Sequence, residues 1–497
     1  MTSDGPLALG DPGVVAEFRG VLLAAGYTGE AVRAALDMPG ELLAGRADTP
    51  VHVRRLAGLE PLGTIVRLFV LDAPVTAKEA RRAFAPLPIE RLEALGLVAS
   101  AGSEVRPLVR IVPHDEVLIA SDRRWQAGEE RDRDHVAGVH GPSVTLSNLT
   151  VRLPGGVALD VGTGCGIQAI LASRHSERVV AADLNRRALN FAAFNARLNG
   201  VDNVEFRAGS FFEPVEGSRF DLVVCNPPYV ISPESAFLFR DSGLPGDAVS
   251  AGVVRQAPAF LEEGAFATVL VSWVHAPGED WSAPLRRWVE GSGCDAWFLH
   301  YGMDDPLTHA AKWMRDELGH DSAAFADGLT RWLEYFDRLG IESIAYGAVI
   351  LRRRAGGPSW VRTDELPGER LRPAGAHIVR IFAAQDFLAG LADDRELLDE
   401  RLALADSDLL EQRVVFRERE WVVDEITLSL QEGVGFRATL DPPTAGLLAG
   451  LDGRRTLAEV ADELARLQGA SRESVEQAVL PIARRMLEAG FLVRSAP

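Results

Sequence analysis

The chain has 497 residues, enough for two to four domains with large cores, and a formal net charge of −19 at pH 7. A protein that grips nucleic acid across many phosphates needs a concentrated positive surface. The acidity therefore disfavours an RNA or DNA partner, without excluding a local basic groove, and favours a protein or a small molecule as substrate.

The cysteines and histidines give no sign of a metal site. The chain has 3 cysteines, which are scattered without metal-ligand spacing, and its 10 histidines form no ligand cluster. The N-terminus has neither a basic segment nor a long apolar run, and no stretch of the sequence is long and apolar enough to span a bilayer. We therefore expect a cytoplasmic protein in a reducing compartment, with no metal and no membrane contact.

Residues 1–125 are predicted to form an N-terminal module of short helices followed by a two-stranded wing. Apolar residues recur at helical spacing in residues 14–25, 30–36, 62–71, 77–84 and 89–95. Strands are predicted over residues 105–112 and 116–121. This order is typical of winged-helix modules, but no basic recognition helix is present, so we favour protein docking or a structural cap over DNA reading.

A glycine-rich turn joins a buried strand, 158–161, to a helix, 167–173. Its sequence is Asp160-Val161-Gly162-Thr163-Gly164-Cys165-Gly166. Glycine lets the backbone turn tightly and approach a ligand closely. The next strand ends in Asp183, whose carboxylate can accept hydrogen bonds from both hydroxyls of a ribose. This spacing alone also suits a dinucleotide, and Asp160 is expected either to cap the turn or to face the ligand.

A later turn and a tetrapeptide follow two further strands. In the turn after strand 204–207, Ser210 and Phe211 are predicted to border an adenine ring, whereas Phe212 is more typical of a core residue. The tetrapeptide Asn226-Pro227-Pro228-Tyr229 stands at the end of the apolar strand 220–225. It also suits an ordinary turn, but the carboxyl ends of parallel strands share one edge of a sheet, so it should lie beside the glycine-rich turn.

The tetrapeptide has the groups that methyl transfer to a planar nitrogen requires. The side-chain oxygen of Asn226 and the carbonyl of Pro227 can accept hydrogen bonds from the N–H groups and turn the delocalised lone pair outward. Tyr229 offers an aromatic face against which a flat amide or base can stack. No general base is needed, because the proton becomes acidic only as the N–C bond forms, so positioning and electrostatics would supply the catalysis.

With these motifs, residues 145–352 resemble the class I S-adenosylmethionine-dependent methyltransferases. The tetrapeptide resembles that of the release-factor glutamine methyltransferases of the HemK type and, more loosely, that of amino-methyltransferases acting on adenine or guanine. The resemblance implies an α/β fold with a Rossmann-like seven-stranded sheet in a catalytic domain over residues 126–354. It also implies S-adenosyl-L-methionine as cofactor and S-adenosyl-L-homocysteine as product.

The resemblance assigns roles residue by residue. It implies that Asn226, Pro227 and Tyr229 are catalytic. The cofactor-binding residues that it implies are Asp160, Gly162, Thr163, Gly164, Gly166, Asp183, Leu184, Ser210, Phe211 and Asn226. Ser210 departs from many relatives, which carry an acidic residue there. The substrate side, residues 239–247, matches only loosely.

Several residues outside the motifs have two interpretations. Arg240 and Asp241 are either gate residues or, as we favour, a solvated pair in an irregular loop. His135 is expected to be structural, although it lies close enough in sequence to reach the site. In a long helical insertion, residues 308–339, Trp313 and three further aromatic residues at helical spacing are expected to be core.

Residues 355–497 are predicted to form a C-terminal winged-helix-like module, beginning with an irregular linker over 355–374. A helix is predicted over 378–404, a strand pair over 421–431 and 436–440, and helices over 443–451, 456–465 and 471–489. The leading hypothesis is an N-methyltransferase acting on a side-chain amide, most simply glutamine, in a protein. The alternatives are methylation of an exocyclic amine in RNA or DNA and a non-catalytic binding scaffold.

Overall fold

The computed structural model describes residues 6–38, 48–124, 132–234, 237–241, 243–274, 278–318, 321–366, 371–406 and 408–495. The chain divides into two compact units, one of Met1–Ser147 with Leu153–Glu365 and one of Asn148–Arg152 with Leu366–Pro497. The first unit thus joins the predicted N-terminal module to the predicted catalytic domain, and the boundary predicted after residue 125 lies outside the described residues. No helix in the described ranges is long and apolar enough to cross a bilayer.

The first unit begins with short helices and small antiparallel sheets. The helices are α1 (Pro12–Ala24), α2 (Gly29–Leu36), α3 (Thr49–Arg55), α4 (Leu62–Phe69), α5 (Ala77–Phe84) and α6 (Ile89–Ala94). The strands are β1 (Val75–Thr76), β2 (Val98–Ala101), β3 (Glu104–Pro107), β4 (Val109–His114) and β5 (Val117–Asp122). The single strand predicted over 105–112 was wrong: β3 pairs with β1 and β2, whereas β4 pairs with β5. The break follows Pro107, which has no N–H to extend a ladder.

The helical module and the glycine-rich turn share one hydrophobic core. Phe18, Phe69 and Phe84 are fully buried and pack against one another, with ring centroids 6.0–6.3 Å apart; Phe69 meets the other two rings edge to face. The same cluster includes Phe191 and Phe194 from the helix that follows Asp183. The N-terminal module therefore packs against the helices that support the glycine-rich turn.

Asparagines on that helix, α9 (Arg186–Leu198), and just after it hold the N-terminal segment through its backbone. Asn195, fully buried, accepts from Ala120 N at 2.8 Å and donates to the carbonyls of Ala120 and Cys165, both at 2.8 Å. Asn190 makes a reciprocal pair with Leu7, and Asn199 makes one with Leu118. The Asn195 and Asn199 amides satisfy backbone groups of β5, at the edge of the β4–β5 hairpin that no strand in the described ranges covers.

The remainder of the first unit is an eight-stranded sheet covered by helices. Its strands are β6 (Val157–Val161), β7 (Arg178–Asp183), β8 (Val204–Ala208), β9 (Phe220–Cys225), β10 (Leu261–Val274), β11 (Cys294–Asp304), β12 (Ile344–Arg353) and β13 (Val361–Glu365), in the order β13-β11-β12-β10-β9-β6-β7-β8. Its helices, besides α9, are α7 (Gly141–Leu149), α8 (Ile167–Ala172), α10 (Ala248–Gln256), α11 (Ala283–Val289), α12 (Pro306–Leu318) and α13 (Ser322–Leu339).

The sheet confirms the Rossmann-like architecture and corrects its edge. Strands β6 to β10 run parallel, and β12 is antiparallel to both β10 and β11. Where an irregular linker was predicted, β13 adds an eighth strand parallel to β11, so the sheet is not seven-stranded and the boundary predicted after residue 354 falls too early. Asp364 holds this edge by accepting from Trp297 Nε1 at 2.7 Å and from Arg362 Nε at 2.6 Å.

The second unit contains helices and two three-stranded sheets. Its helices are α14 (Gly375–Gly390), α15 (Pro442–Gly450), α16 (Leu457–Gln468) and α17 (Arg472–Glu488). Its strands are β14 (Arg401–Leu404), β15 (Asp408–Arg417), β16 (Glu420–Leu430), β17 (Arg437–Leu440), β18 (Asp452–Thr456) and β19 (Leu492–Arg494), arranged as β18-β14-β19 and β15-β16-β17. The helix predicted over 378–404 ends early, because Asp393 and Glu396 form a capping box that begins a 3₁₀ helix, Asp394–Asp399. The winged-helix character of both modules stays a prediction.

We predict that Asn195→Leu lowers the free energy of unfolding by about 2 to 4 kcal/mol, because it leaves the buried backbone groups of Ala120 and Cys165 without their partner. Urea denaturation of the purified protein measures this loss. The exposed Gln256, which bonds within its own helix, is the control, and Gln256→Ala should change the free energy by less than about 0.5 kcal/mol. A loss no larger than the control's would contradict the role given to Asn195.

Candidate active site

The glycine-rich turn lies at the carboxyl edge of the sheet, between the neighbouring strands that end in Asp183 and Asn226. Val161 is paired with Ala182 on one side and with Cys225 on the other, so the residues that follow each strand emerge side by side. Gly162 has φ of +71°, and nothing lies within 4 Å of where its Cβ would be. Gly166 has φ of +83°, and a Cβ there would meet Ala192 at 2.8 Å, so this glycine permits helix packing.

Two aspartates fix the turn. Asp160 Oδ2 accepts from Thr163 Oγ1 at 2.6 Å and from Ala169 N at 3.0 Å, which gives Asp160 the capping role. Burial raises the pKa of Asp160 to about 7, opposed by these two hydrogen bonds. Asp183 accepts from Gly164 N and Asn185 N, both at 2.8 Å, and burial raises its pKa as well.

A cavity of about 470 Å³ opens over this edge. It is lined by the predicted residues Asp160, Gly162, Thr163, Gly164, Asp183, Leu184, Ser210, Phe211, Asn226, Pro227 and Tyr229. Gly166 was predicted to bind the cofactor, but it lies outside this lining and against Ala192. The structure therefore brings together every other predicted site residue.

The residues predicted beside the adenine and ribose differ in burial. Phe211 lines the cavity at a left-handed φ of +46°, a conformation that costs a bulky residue about 1–2 kcal/mol. Phe212 lies in the core, stacked on Phe260 with 4.5 Å between ring centroids. Leu184 lines the cavity and is 60% exposed. Ser210 donates its backbone N–H to Glu213 Oε2 at 3.2 Å.

The tetrapeptide presents one unused acceptor. The side-chain oxygen of Asn226 is buried and has no hydrogen-bond partner among the described residues. The Pro227 carbonyl, the second predicted acceptor, already accepts from Tyr229 N at 2.8 Å, which leaves its other lone pair for a substrate. The carbonyl of Tyr229 is held by the hydroxyl of Ser272. The catalytic roles of the three residues stay predictions.

Residues that were not predicted cover the cavity from the N-terminal side. His135, Val136, Ala137 and His140 line it, so His135 reaches the site. The segment is fastened by Asp122, which accepts from Val136 N at 2.8 Å and from Arg187 at 2.5 and 2.9 Å. Burial lowers the pKa of His135. The ion pair of Asp122 with Arg187 joins residues far apart in sequence, and no local motif marks it.

The acceptor side contains a buried ion pair rather than a solvated one. Arg240 and Asp241 are 6% and 0% exposed in their side chains, and Arg240 Nε lies 2.9 Å from Asp241 Oδ1. Ser232 Oγ donates to the same carboxylate at 3.0 Å. The prediction of a solvated pair was wrong, because the side chains of the loop fold inward over the cavity. Trp313 also lines the cavity, whereas Trp332 and Phe336 are core residues as expected.

Comparison with known proteins gives the family. The family described as "Methyltransferase small domain" matches residues 140–269, and two domains of unknown function match residues 24–108 and 380–494. A release factor glutamine methyltransferase of Xylella fastidiosa is 36% identical over 149 residues, 27% of this chain and 51% of that protein. A protein of Methanocaldococcus jannaschii, provisionally named a protein N5-glutamine methyltransferase, is 30% identical over 138 residues, 26% of this chain and 68% of that protein.

The chain belongs to the HemK-like class I S-adenosylmethionine-dependent methyltransferases. A ribosomal protein uL3 glutamine methyltransferase of Bradyrhizobium diazoefficiens is also 36% identical over 119 residues, 21% of this methyltransferase and 36% of that protein. This methyltransferase spans about half the length of the Xylella relative. The residues that the family model matches, 140–269, include the glycine-rich turn and the tetrapeptide, and the resemblance drawn from these motifs is confirmed.

The cavity of this methyltransferase fits S-adenosylmethionine, which carries a sulfonium and an ammonium charge. Asp160 and Asp183 supply carboxylates beside the turn, and the space next to Gly162 and Gly164 is open. Asp183 would hold the ribose, Phe211 and Leu184 would border the adenine, and the turn would follow the methionine part. When bound, the cofactor supplies an electrophilic methyl group.

We predict that Asp160→Asn makes stability less sensitive to pH. The folded wild type holds a proton on Asp160 up to about pH 7, whereas the unfolded chain releases it near pH 4, so the wild type loses stability as pH rises between these values. The free energy of unfolding of the variant, relative to wild type, should therefore rise by about 2 kcal/mol from pH 5 to pH 8.

Urea titrations at several pH values measure this difference in the ligand-free protein. Asp202→Asn, at an exposed carboxylate, is the matched control and should change the free energy of unfolding by less than about 0.5 kcal/mol. A flat difference for Asp160→Asn would show that Asp160 titrates as an ordinary carboxylate.

Proposed function

We propose that this chain is an N-methyltransferase that transfers the methyl group of S-adenosylmethionine to the side-chain amide of a glutamine in a protein. The observation that carries the proposal is the buried, unpartnered side-chain oxygen of Asn226 in the cavity that also contains the cofactor turn. The names of the Xylella, Bradyrhizobium and Methanocaldococcus relatives support a protein glutamine as acceptor.

The geometry suits a neutral, planar acceptor. Asn226 accepts one N–H of the substrate amide, and the free lone pair of the Pro227 carbonyl accepts the other. When both N–H bonds are held in this way, the nitrogen lone pair is no longer conjugated with the carbonyl of the substrate amide. The lone pair then points toward the methyl group of S-adenosylmethionine. Tyr229 stacks on the flat amide, and the covering segments exclude water. As the N–C bond forms, the bond between the methyl carbon and sulfur would break, with S-adenosylhomocysteine as the leaving group. The nitrogen is then strongly acidic and would give its proton to water when the products leave.

The charges around the cavity favour this acceptor over a nucleic acid. Of the charged side chains that line it among the described residues, Asp160, Asp183 and Asp241 are acidic and only Arg240 is basic, and Arg240 is paired with Asp241. Among the described residues, the cavity therefore offers no unpaired positive charge to a polyanion. A release factor or ribosomal protein uL3, the acceptors in the relatives' names, is the protein class to test first. The cytoplasmic location stays a prediction.

The acceptor is tested by incubating the enzyme with S-adenosylmethionine carrying a labelled methyl group and either purified release factor or purified uL3. Acid hydrolysis of an N-methylated glutamine amide releases methylamine, so we expect to recover the label as methylamine. Label that stays on an amino acid after hydrolysis would overturn the proposal. So would labelling of a cell lysate in which the label is lost after nuclease treatment. Absence of S-adenosylmethionine binding in calorimetry would instead indicate a scaffold.

We predict that Asn226→Ala leaves the Kd of S-adenosylmethionine nearly unchanged while the barrier to methyl transfer rises by about 3 kcal/mol, as for loss of one preorganised polar contact. Calorimetry and single-turnover kinetics separate the two effects. Asn203→Ala is the control, since Asn203 binds backbone carbonyls of Ser173 and Ser176 outside the cavity lining, and it should change neither quantity. Equal losses of binding and rate in Asn226→Ala would mean that Asn226 shapes the pocket instead.

A further inference from the structure

The two helices α12 and α13 form an insertion between strands β11 and β12 that contacts the chain just after the tetrapeptide. We call residues 229–234, 237–241 and 243–247 the acceptor segment. Arg331 donates to Glu234 Oε1 at 3.0 Å, and Trp332 Nε1 donates to the same oxygen at 3.3 Å. Tyr335 accepts from Gly246 N at 3.0 Å. The insertion thus holds the acceptor segment at both ends.

His309, on α12, makes the innermost of these contacts. Its side chain is fully buried, with Nε2 2.8 Å from the carbonyl of Ile231 and Nδ1 2.5 Å from the hydroxyl of Tyr346. Tyr346 stacks on the imidazole with 6.0 Å between centroids, and Trp332 and Phe336 close the other sides. The ring is therefore fixed in position and orientation.

The hydrogen bonds fix one hydrogen on His309. A carbonyl only accepts, so Nε2 carries a hydrogen and donates it to Ile231. Burial lowers the pKa of His309 to about 4, opposed by the Ile231 carbonyl and Asp304, so the ring is neutral at pH 7. The Tyr346 hydroxyl donates to Asp304 Oδ2 at 2.9 Å, and Lys312 donates to the same oxygen at 3.2 Å.

The same helix supplies a wall of the cavity. Trp313 follows His309 by one turn, so both lie on the face of α12 that meets the site, and Trp313 lines the cavity. His309 holds the acceptor segment by donating to the Ile231 carbonyl. Ser272, on β10, holds the same segment by donating to the Tyr229 carbonyl. Asn226 stands immediately before this fixed stretch.

We propose that His309 is a positioning residue, which holds the acceptor segment so that Asn226 and Tyr229 keep the geometry that methyl transfer needs. It touches neither cofactor nor acceptor and acts through the Ile231 carbonyl. The inference rests on the proposed function for its kinetic consequence, but the anchoring itself is independent of the acceptor's identity.

His309→Ala and His309→Gln test the proposal, because a glutamine amide can place an N–H near the position of Nε2. In His309→Ala we expect unchanged Kd for S-adenosylhomocysteine, faster hydrogen exchange in peptides covering the acceptor segment, and a kcat on release factor lower by about 100-fold, as for a small misplacement of reacting groups. His309→Gln should restore most of the rate and the exchange protection.

His377, on α14 in the second unit, is the matched control. It is 1% exposed, and its Nε2 lies 2.9 Å from the carbonyl of Ala489, so His377→Ala removes the same kind of bond. We expect it to lower thermal stability without changing kcat or exchange in the acceptor segment.

Three results would overturn the proposal: unchanged exchange in His309→Ala, equal kinetic losses in His309→Ala and His377→Ala, or no rescue by glutamine in folded protein. If wild type labels no release factor or uL3, the proposed function fails by its own assay, and hydrogen exchange alone then decides whether His309 anchors the segment.

Discussion

The parallel register between β6 and β9 is the constraint on which the site depends. Val161 pairs with Cys225, so Gly162 and Asn226 leave the sheet as neighbours, one at the start of the cofactor turn and one at the start of the tetrapeptide. A slip of one residue would turn Asn226 to the other face of the sheet and bury its amide among apolar side chains. Since both strands are buried on both faces, their apolar residues resist such a slip.

The two ends of the first unit support opposite halves of the cavity. The N-terminal module shares its core with α9 and, through Asp122 and Arg187, fastens the segment that covers the cofactor side. The insertion α12–α13 fastens the acceptor side through His309 and the residues that bind Glu234. Neither element belongs to the sheet. The insertion contributes Trp313 to the cavity wall, whereas the N-terminal module fastens the segment that lines the opposite wall. Rigid walls of this kind fit a reaction whose catalysis is positioning.

The features that could be predicted from the sequence are those that neighbouring residues determine. Buried parallel strands are continuous apolar runs, and the turn glycines and the tetrapeptide follow them directly, so the sheet core and most of the site could be predicted. The strand β13 could not, since Val-Arg-Thr-Asp-Glu has no apolar run and depends on Trp297 to hold Asp364. The helix predicted through residue 404 failed because the capping box at Asp393 overrides the apolar period.

The unpredicted site residues share one property, which is that contacts across the fold define their roles. His135 and Trp313 lie outside the motifs in sequence, and either suits a core position by composition alone. Gly166 shows the converse: it belongs to the motif, but its neighbour Ala192 explains it as a packing glycine. A motif therefore predicts where a residue lies in the fold more reliably than it predicts what the side chain contacts there.

The unpartnered oxygen of Asn226 is the feature that a purely structural explanation leaves unexplained. A buried acceptor without a donor costs about 1–3 kcal/mol, and substitution by an apolar residue of similar size would remove that cost. Two polar groups of this region are committed elsewhere: Tyr229 donates its N–H to the Pro227 carbonyl, and Ser272 donates its hydroxyl to the Tyr229 carbonyl. The fold thus keeps one acceptor free at the point where the cofactor turn and the acceptor segment meet. A substrate N–H group is the donor that this arrangement lacks, and an amide nitrogen, neutral and planar, can bring that donor into an acidic cavity without charge repulsion.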